Sequence, residues 1–215
     1  MTSVYLLISD PIAARRMQGT LSAQPGLVVA GWANTLAAAR FQLARSRPNL
    51  VIADLKLPDG NASELFEDFS SSGEYGRPQT LVLTPTLDDP TLIGAMQAGA
   101  DAYLIDHAMA QDLVATVRLV LAGASPMDST IARRVQAHFD ERVWDATDFV
   151  GETQNPLHLT DEERLLLERT AQGYDAAAIA KGQRTTAQVV GQRLRTIYRK
   201  MQLDLRAGSL SLELA

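Results

Sequence analysis

The chain of 215 residues has no cysteine, so disulfides, thiol catalysis and cysteine-based zinc sites are excluded, and folding rests on core burial alone. Aromatic residues make up only 6%, and the three histidines, His107, His138 and His158, are scattered without metal-ligand spacing. No Ser/His/Asp arrangement, glycine-rich phosphate loop or helical His-Glu pair occurs, which speaks against enzymatic activity. Long apolar runs are missing too. The patch Val4–Ile8 lacks a basic lead and is too short for a signal-peptide core or a membrane span, so a cytoplasmic location is expected by default. What is present, 46% hydrophobic and 21% charged residues, is the composition of a soluble globular protein with one large or two modest domains.

Basic residues are also few for a nucleic-acid binder, since the net charge is −5. Their distribution reverses that reading. Leu157 to Ala215 carries nine basic and seven acidic residues, whereas both preceding parts of the chain are acidic. Within it, Lys181 to Leu203 holds Lys181, Arg184, Arg193, Arg195, Arg199 and Lys200 and no acid. A local positive stripe matters more than total charge for groove docking.

Up to Gly123, short β-like runs alternate with helical patterns, the mark of a doubly wound parallel sheet. Strands are predicted at about Val4–Ser9, Leu27–Ala30, Leu50–Ala53, Thr80–Leu83 and Ala102–Ile105, and helices at about Ile12–Leu21, Thr35–Ala44, Ala62–Phe69, Pro90–Ala98 and Ala110–Leu121. Leu113, Val117, Val120 and Leu121 recur at helical spacing and should cover the sheet. After the break at Gly123–Pro126, a further helix is predicted over Met127–Phe139, and 140–156 reads as a linker whose Trp144, Phe149 and Val150 should dock somewhere. Thr160 and Glu163 then have capping-box spacing for a helix to about Ala171. A short helix Ala176–Lys181 ended by Gly182, then a basic helix opened by Thr185 and Gln188 and running to about Met201, reads as helix-turn-helix.

The residue type that carries chemistry is aspartate at strand ends. Asp54 closes the apolar run Leu50–Ala53, Asp10 follows Val4–Ile8, Thr84 follows Leu81–Leu83, and Asp106 follows Tyr103–Ile105. All should point into one crevice at the carboxyl edge of the sheet. VIADLKLPDG, with Asp10 44 residues before Asp54, Thr84 30 after it and Tyr103 49 after it, resembles the receiver domain of two-component response regulators. LTDEERLLLERTAQGYDAAAIA and RTIYRKMQL resemble the DNA-binding domain of LuxR-type regulators. The chain as a whole is therefore similar to NarL/FixJ-class response regulators: a flavodoxin-like receiver at 1–123, a linker helix and loop at 124–156, and a LuxR-type helix-turn-helix at 157–215.

The resemblance implies that Asp54 is the phosphoacceptor-like acid, that Thr84 and Tyr103 are the switch pair, and that any Mg²⁺ would lie on Asp10, Asp54 and the backbone carbonyl of Lys56. Two chemical parts depart from the family. The first-strand acid pair is Ser9-Asp10, and Asp106 stands at the lysine position. Inverting the sign of a partner about 4 Å away turns an attraction of up to about 4 kcal/mol, at an effective ε of about 20, into a penalty. The expectation is a regulator that works without conventional phosphorylation and requires no cofactor. Two rival readings stand beside it: a phosphorelay regulator modified on Asp54 by a sensor kinase, and a protein-interaction regulator that has lost DNA binding. In the second domain the family's Thr-Val-Lys triplet reads Val189-Val190-Gly191. Gln188, Gln192, Arg193 and Arg195 are the expected groove-facing residues, with Arg184, Arg199 and Lys200 toward phosphate, in a homodimer on double-stranded DNA with two half-sites.

Overall fold

Val4–Ile8 and Leu50–Ala53 are apolar at every position, so neither suits a half-exposed strand, and both are buried inside a parallel sheet covered on two faces. The computed structural model describes residues 1–71, 77–84, 90–105, 110–141 and 158–213. These form two compact units, Met1–Ala122 and Gly123–Ala215.

In the first unit, strands β1 (Thr2–Leu7), β2 (Leu27–Ala33), β3 (Leu50–Asp54), β6 (Gln79–Thr84) and β7 (Ala102–Ile105) make one parallel sheet in the order β2-β1-β3-β6-β7. Helices α1 (Pro11–Ser22), α2 (Leu36–Ser46), α3 (Ala62–Ser71), α4 (Pro90–Ala98) and α5 (Ala110–Leu121) follow the strands in turn. This is the expected flavodoxin-like arrangement. The alternation of strand residues divides the core. Val4, Leu6, Leu50, Ile52, Leu81 and Leu83 pack with Met17 and Leu21 of α1 and with Leu113, Val117 and Val120 of α5. Leu121 lies partly buried against the same cluster. Edge strand β2 alternates instead, and Val28 and Trp32 are partly exposed.

A two-residue hairpin, β4 (Lys56–Leu57) with β5 (Gly60–Asn61), was not legible in the sequence; it folds the segment after Asp54 back on itself. Gly60 makes it work. Its φ is +150°, a conformation that side-chain-bearing residues rarely adopt, and a Cβ at this position would fall 2.8 Å from Leu36 Cδ1 and closer still to Glu64 Oε1, so both side chains would have to shift. Next to it, Asp59 accepts from the Leu36 and Ala37 amides at 2.8 and 3.0 Å, while Thr35 Oγ1 accepts from Ala38 N at 3.3 Å. Three otherwise unpaired amides of α2 are thereby satisfied, and the loop beyond Asp54 is tied to the neighbouring helix.

In the second unit, α6 (Ser129–Glu141) packs its buried Ile131, Val135 and Phe139 among α7 (Asp161–Ala171) and α9 (Ala187–Glu213). The short helix α8 (Ala176–Gln183) precedes α9. Thr160 and Glu163 form the expected capping box at the start of α7. Three local expectations are corrected. Helix α8 runs past Gly182 and ends where Arg184 adopts a left-handed conformation, φ 53°. The cap of α9 is Thr186, whose hydroxyl accepts from Val189 N at 3.3 Å, and not Thr185. Finally, α9 continues well beyond Met201 to Glu213. Residues 202–207, Gln-Leu-Asp-Leu-Arg-Ala, hold neither glycine nor proline to stop it, and buried Asp204 lies 2.8 Å from His138 Nε2 of α6. Trp144, Phe149 and Val150 lie outside the described residues, as do Asp106 and His107. No helix among the described residues is long and apolar enough to cross a membrane.

Candidate functional site

Asp54 is the last residue of β3 and is half-buried at the carboxyl edge of the sheet. Register sets it opposite Leu83 of β6, with Thr84 one step further along. Its Oδ2 accepts two hydrogen bonds from one residue: the Ser9 backbone N–H at 2.8 Å and the Ser9 hydroxyl at 2.6 Å. Both are short, charge-assisted bonds, and both donors are neutral. Ser9 therefore orients the carboxylate without cancelling or adding charge.

Asp10 behaves differently. It caps α1, its Oδ1 accepting from Ile12 N at 2.9 Å and its Oδ2 from Ala13 N at 3.3 Å, and it is solvent-exposed. Ser9, Asp10 and Asp54 do line one cleft of about 610 Å³, with Arg15 and Arg16 also on its wall and Met17, Leu83 and Leu104 supplying apolar surface. The structure thus brings Ser9, Asp10 and Asp54 together, Thr84 does not line this cleft, and Asp106 lies outside the described residues. It does not make them a carboxylate cluster: among the described residues no three His, Asp or Glu side chains are grouped to hold a metal.

These residues fit Mg²⁺ poorly. A small hard cation takes anionic oxygens in near-octahedral geometry. Here one Asp54 oxygen is engaged by Ser9, and both Asp10 oxygens by helix amides. Lys56, whose carbonyl was the third expected ligand, lies on β4 paired with Asn61, its side chain exposed.

Thr84 is fully buried at the end of β6. Tyr103 sits opposite Val82, is 2% exposed, and donates its hydroxyl to the Ala100 carbonyl at 3.4 Å. The two switch-position side chains are therefore both inside. Sequence reasoning missed Asp59, whose carboxyl is held below the usual range by the Ala37 and Leu36 amides; the Pro58-Asp59-Gly60 turn was its only visible trace.

In the second unit, Arg184, Gln188, Gln192, Arg193 and Arg199 are all exposed. Gln188, Gln192 and Arg199 lie on one face of α9, with spacings of four and seven, opposite the buried row Val190, Leu194, Ile197 and Met201. Arg193 lies to the side, 3.5 Å from Gln183 Oε1 and 3.9 Å from Glu162 Oε2. Two further residues expected at DNA have partners or burial within the unit. Lys200 Nζ donates to Glu163 Oε2 at 2.6 Å and to the His158 carbonyl at 2.7 Å, so it fastens α9 to the start of α7. Arg195 is half-buried, its Nη1 3.8 Å from where a Cβ on Gly123 would stand. That half-burial is something a count of charges in sequence does not disclose.

Residues 6–118 match the family model of the response regulator receiver domain. Among curated proteins, the chain is 32% identical over 181 residues to the DNA-binding transcriptional activator DevR/DosR of Mycobacterium tuberculosis, a match covering 84% of this chain and 79% of that protein. It is 27% identical over 207 residues to the nitrate/nitrite response regulator protein NarL of Escherichia coli, covering 95% and 91%. Among solved structures, a LuxR-family two-component response regulator from an Aurantimonas species is similar at a TM-score of 0.57 and 23% identity, over 66% of this chain and 100% of that one. The RcsB response regulator of Salmonella typhimurium gives a TM-score of 0.57 at 16% identity, over 98% and 100%.

Proposed function

Since the chain belongs to the response regulator family, in its NarL/LuxR-type branch, we propose that it is a DNA-binding transcriptional regulator whose receiver acts without conventional phosphorylation of Asp54. The relatives DevR/DosR and NarL are named as a transcriptional activator and a response regulator, and the shared fold carries that class of output to this chain as a proposal.

One observation carries the receiver half of the reading. Ser9 supplies both hydrogen bonds to Asp54 Oδ2, where an incoming phosphoryl group needs cations around the acceptor. Phosphoryl transfer concentrates negative charge, and its catalysis is largely the placing of positive charge against it. Ser9 brings none, Asp10 is turned to helix α1, and residue 106 is itself an acid. Arg15 and Arg16 on the cleft wall are the cations at hand.

For the output half, α8 and α9 supply the helix-turn-helix. Gln188 and Gln192 have the side chain that pairs with adenine edges in the major groove. Arg199 and Arg184, both exposed, are the proposed phosphate contacts, and Arg193, also exposed, is proposed to flank the reading face. The protein acts as a homodimer, so its site consists of two half-sites related as the protomers are. It is a regulator rather than an enzyme and needs no resident cofactor. Domain limits follow as 1–123 for the receiver and 157–215 for the helix-turn-helix, with 124–156 between them.

The test is to titrate DNA with protein before and after incubation with a small-molecule phosphodonor and Mg²⁺, and to weigh the intact protein. Unchanged mass and unchanged affinity are expected. An added phosphoryl mass accompanied by tighter binding would restore the phosphorelay reading.

A further inference from the structure

Gly19 lies inside α1, where glycine weakens a helix relative to alanine, yet no crowding within the chain accounts for it. A Cβ at this position would meet no atom within 4 Å. Gly19 lines the cleft of about 610 Å³ beside Asp54, so the glycine leaves that wall bare. The volume falls within the range of about 300 to 1,000 Å³ usual for small-molecule sites. Met17, Leu83, Leu104 and Leu113 give the cleft an apolar floor. At one end, Asp54 Oδ2 is filled by Ser9, whereas nothing among the described residues donates to Asp54 Oδ1. Along α1, Arg15 and Arg16 are exposed, and neither forms an ion pair among the described residues.

From this lining we infer that the cleft binds a short apolar peptide with free termini, two or three residues long. Its ammonium rests on Asp54 Oδ1, its side chains lie on the apolar floor, and its carboxylate meets Arg16. The inference rests on the reading that Asp54 is not conventionally phosphorylated, since the ammonium takes the carboxylate oxygen that a phosphoryl group would need. Charge selects the class. The cleft carries two acids, Asp10 and Asp54, and two guanidinium groups, so a ligand of net charge zero bearing both signs matches it, whereas a simple cation or anion leaves one sign unmet. Length selects the size. Arg16 shares one face of α1 with Ala13, Met17 and Thr20, all on the cleft wall, and stands six residues beyond the cap Asp10, about 9 Å along the axis. An extended chain spans about 3.3 to 3.6 Å per residue, so two or three residues bridge that distance. A single amino acid, with both charges on one carbon, does not.

The test titrates the full chain by calorimetry with Leu-Leu and Leu-Leu-Leu, and with N-acetyl-Leu-Leu and Leu-Leu amide, which each lack one charge. At least one free peptide should bind at a single site with a Kd below about 1 mM. Each capped form should bind about tenfold or more weakly. Asp54→Asn should weaken the free peptide by the factor that acetylation does and leave the acetylated peptide unaffected, and Arg16→Gln should stand in the same relation to the amide. These matched losses separate contact at each end from damage to the fold. Gly19→Leu fills the bare wall and gains helix propensity, so it should abolish binding while the Tm holds or rises. No binding of either free peptide below about 1 mM, or equal binding of free and capped peptides, overturns the site and leaves the reading of an unphosphorylated receiver standing. A phosphoryl mass gained under phosphodonor and Mg²⁺ overturns that reading instead, a result separate from the titrations.

Discussion

Replacing Ser9 by aspartate restores the family's acid pair and places a second carboxylate against Asp54. Wild-type Ser9 donates from N at 2.8 Å and from Oγ at 2.6 Å, so the new carboxylate would lie about 4 Å or less from the old one. Two like charges about 4 Å apart cost about 4 kcal/mol at an effective ε near 20. The lost hydroxyl bond to a charged acceptor adds about 1.5 kcal/mol. Because Asp54 is half-buried, solvent screening about halves the sum. The result is about 2 to 3 kcal/mol, or roughly 8 °C in Tm for a unit of this size. A cation bound between the two acids reverses the effect. At a concentration about a hundred times its Kd it returns about 2.7 kcal/mol, nearly the whole loss. Thermal melts of wild type and Ser9→Asp, with and without Mg²⁺, read this directly. The variant should melt lower in chelator and recover in Mg²⁺, while wild type should respond little. If wild type gains as much from Mg²⁺ as the variant, the cleft holds the ion without a second acid and the poor fit argued for it is wrong.

Other substitutions separate structural cations from DNA contacts. Lys200→Met leaves Glu163, only 14% exposed, without its 2.6 Å partner and should cost about 2 to 3 kcal/mol by chemical denaturation, with DNA affinity per folded molecule retained. Arg199→Ala should do the opposite, leaving stability within about 0.5 kcal/mol and lowering DNA affinity alike for all sequences, with a salt slope smaller by about one. Gln192→Ala should instead relax base preference at one position of the half-site, by about 1 to 3 kcal/mol of discrimination in a competition assay. The Asp59 carboxyl is held below its ordinary pKa, so its contribution is fully present above about pH 4 and is lost as pH falls through the depressed value. Asp59→Asn should therefore flatten the acid limb of the stability curve, measured by denaturant midpoints, and a variant with an unchanged limb would refute the capping role.

The parallel sheet was legible because its central strands β1 and β3 carry short continuous apolar runs that fit a sheet covered on both faces, and Val4–Leu7, Val51 and Ile52 are all fully buried. Asp54 was legible from its place at the end of such a strand. The Thr160–Glu163 box was legible because both partners are local. What stayed hidden depends on partners distant in sequence. Nothing near Ser9 marks it as the donor to an acid 45 residues away, and nothing near Gly191 names Ala124 as the group that excludes its side chain. Lys200 and Arg195 read as plain positive charge in a run without acids, yet one is tied to Glu163 and the other lies over Gly123. The length of α9 was underestimated for a different reason: helices end where a cap or a breaker ends them, and 202–207 has neither.

The most direct test of a receiver uncoupled from phosphate is DNA selection on protein that has met no phosphodonor. Enrichment of one symmetric element, with half-sites about one helical turn apart, is expected from the untreated protein and should not sharpen after phosphodonor and Mg²⁺ are added. Enrichment that appears only after that treatment would contradict it.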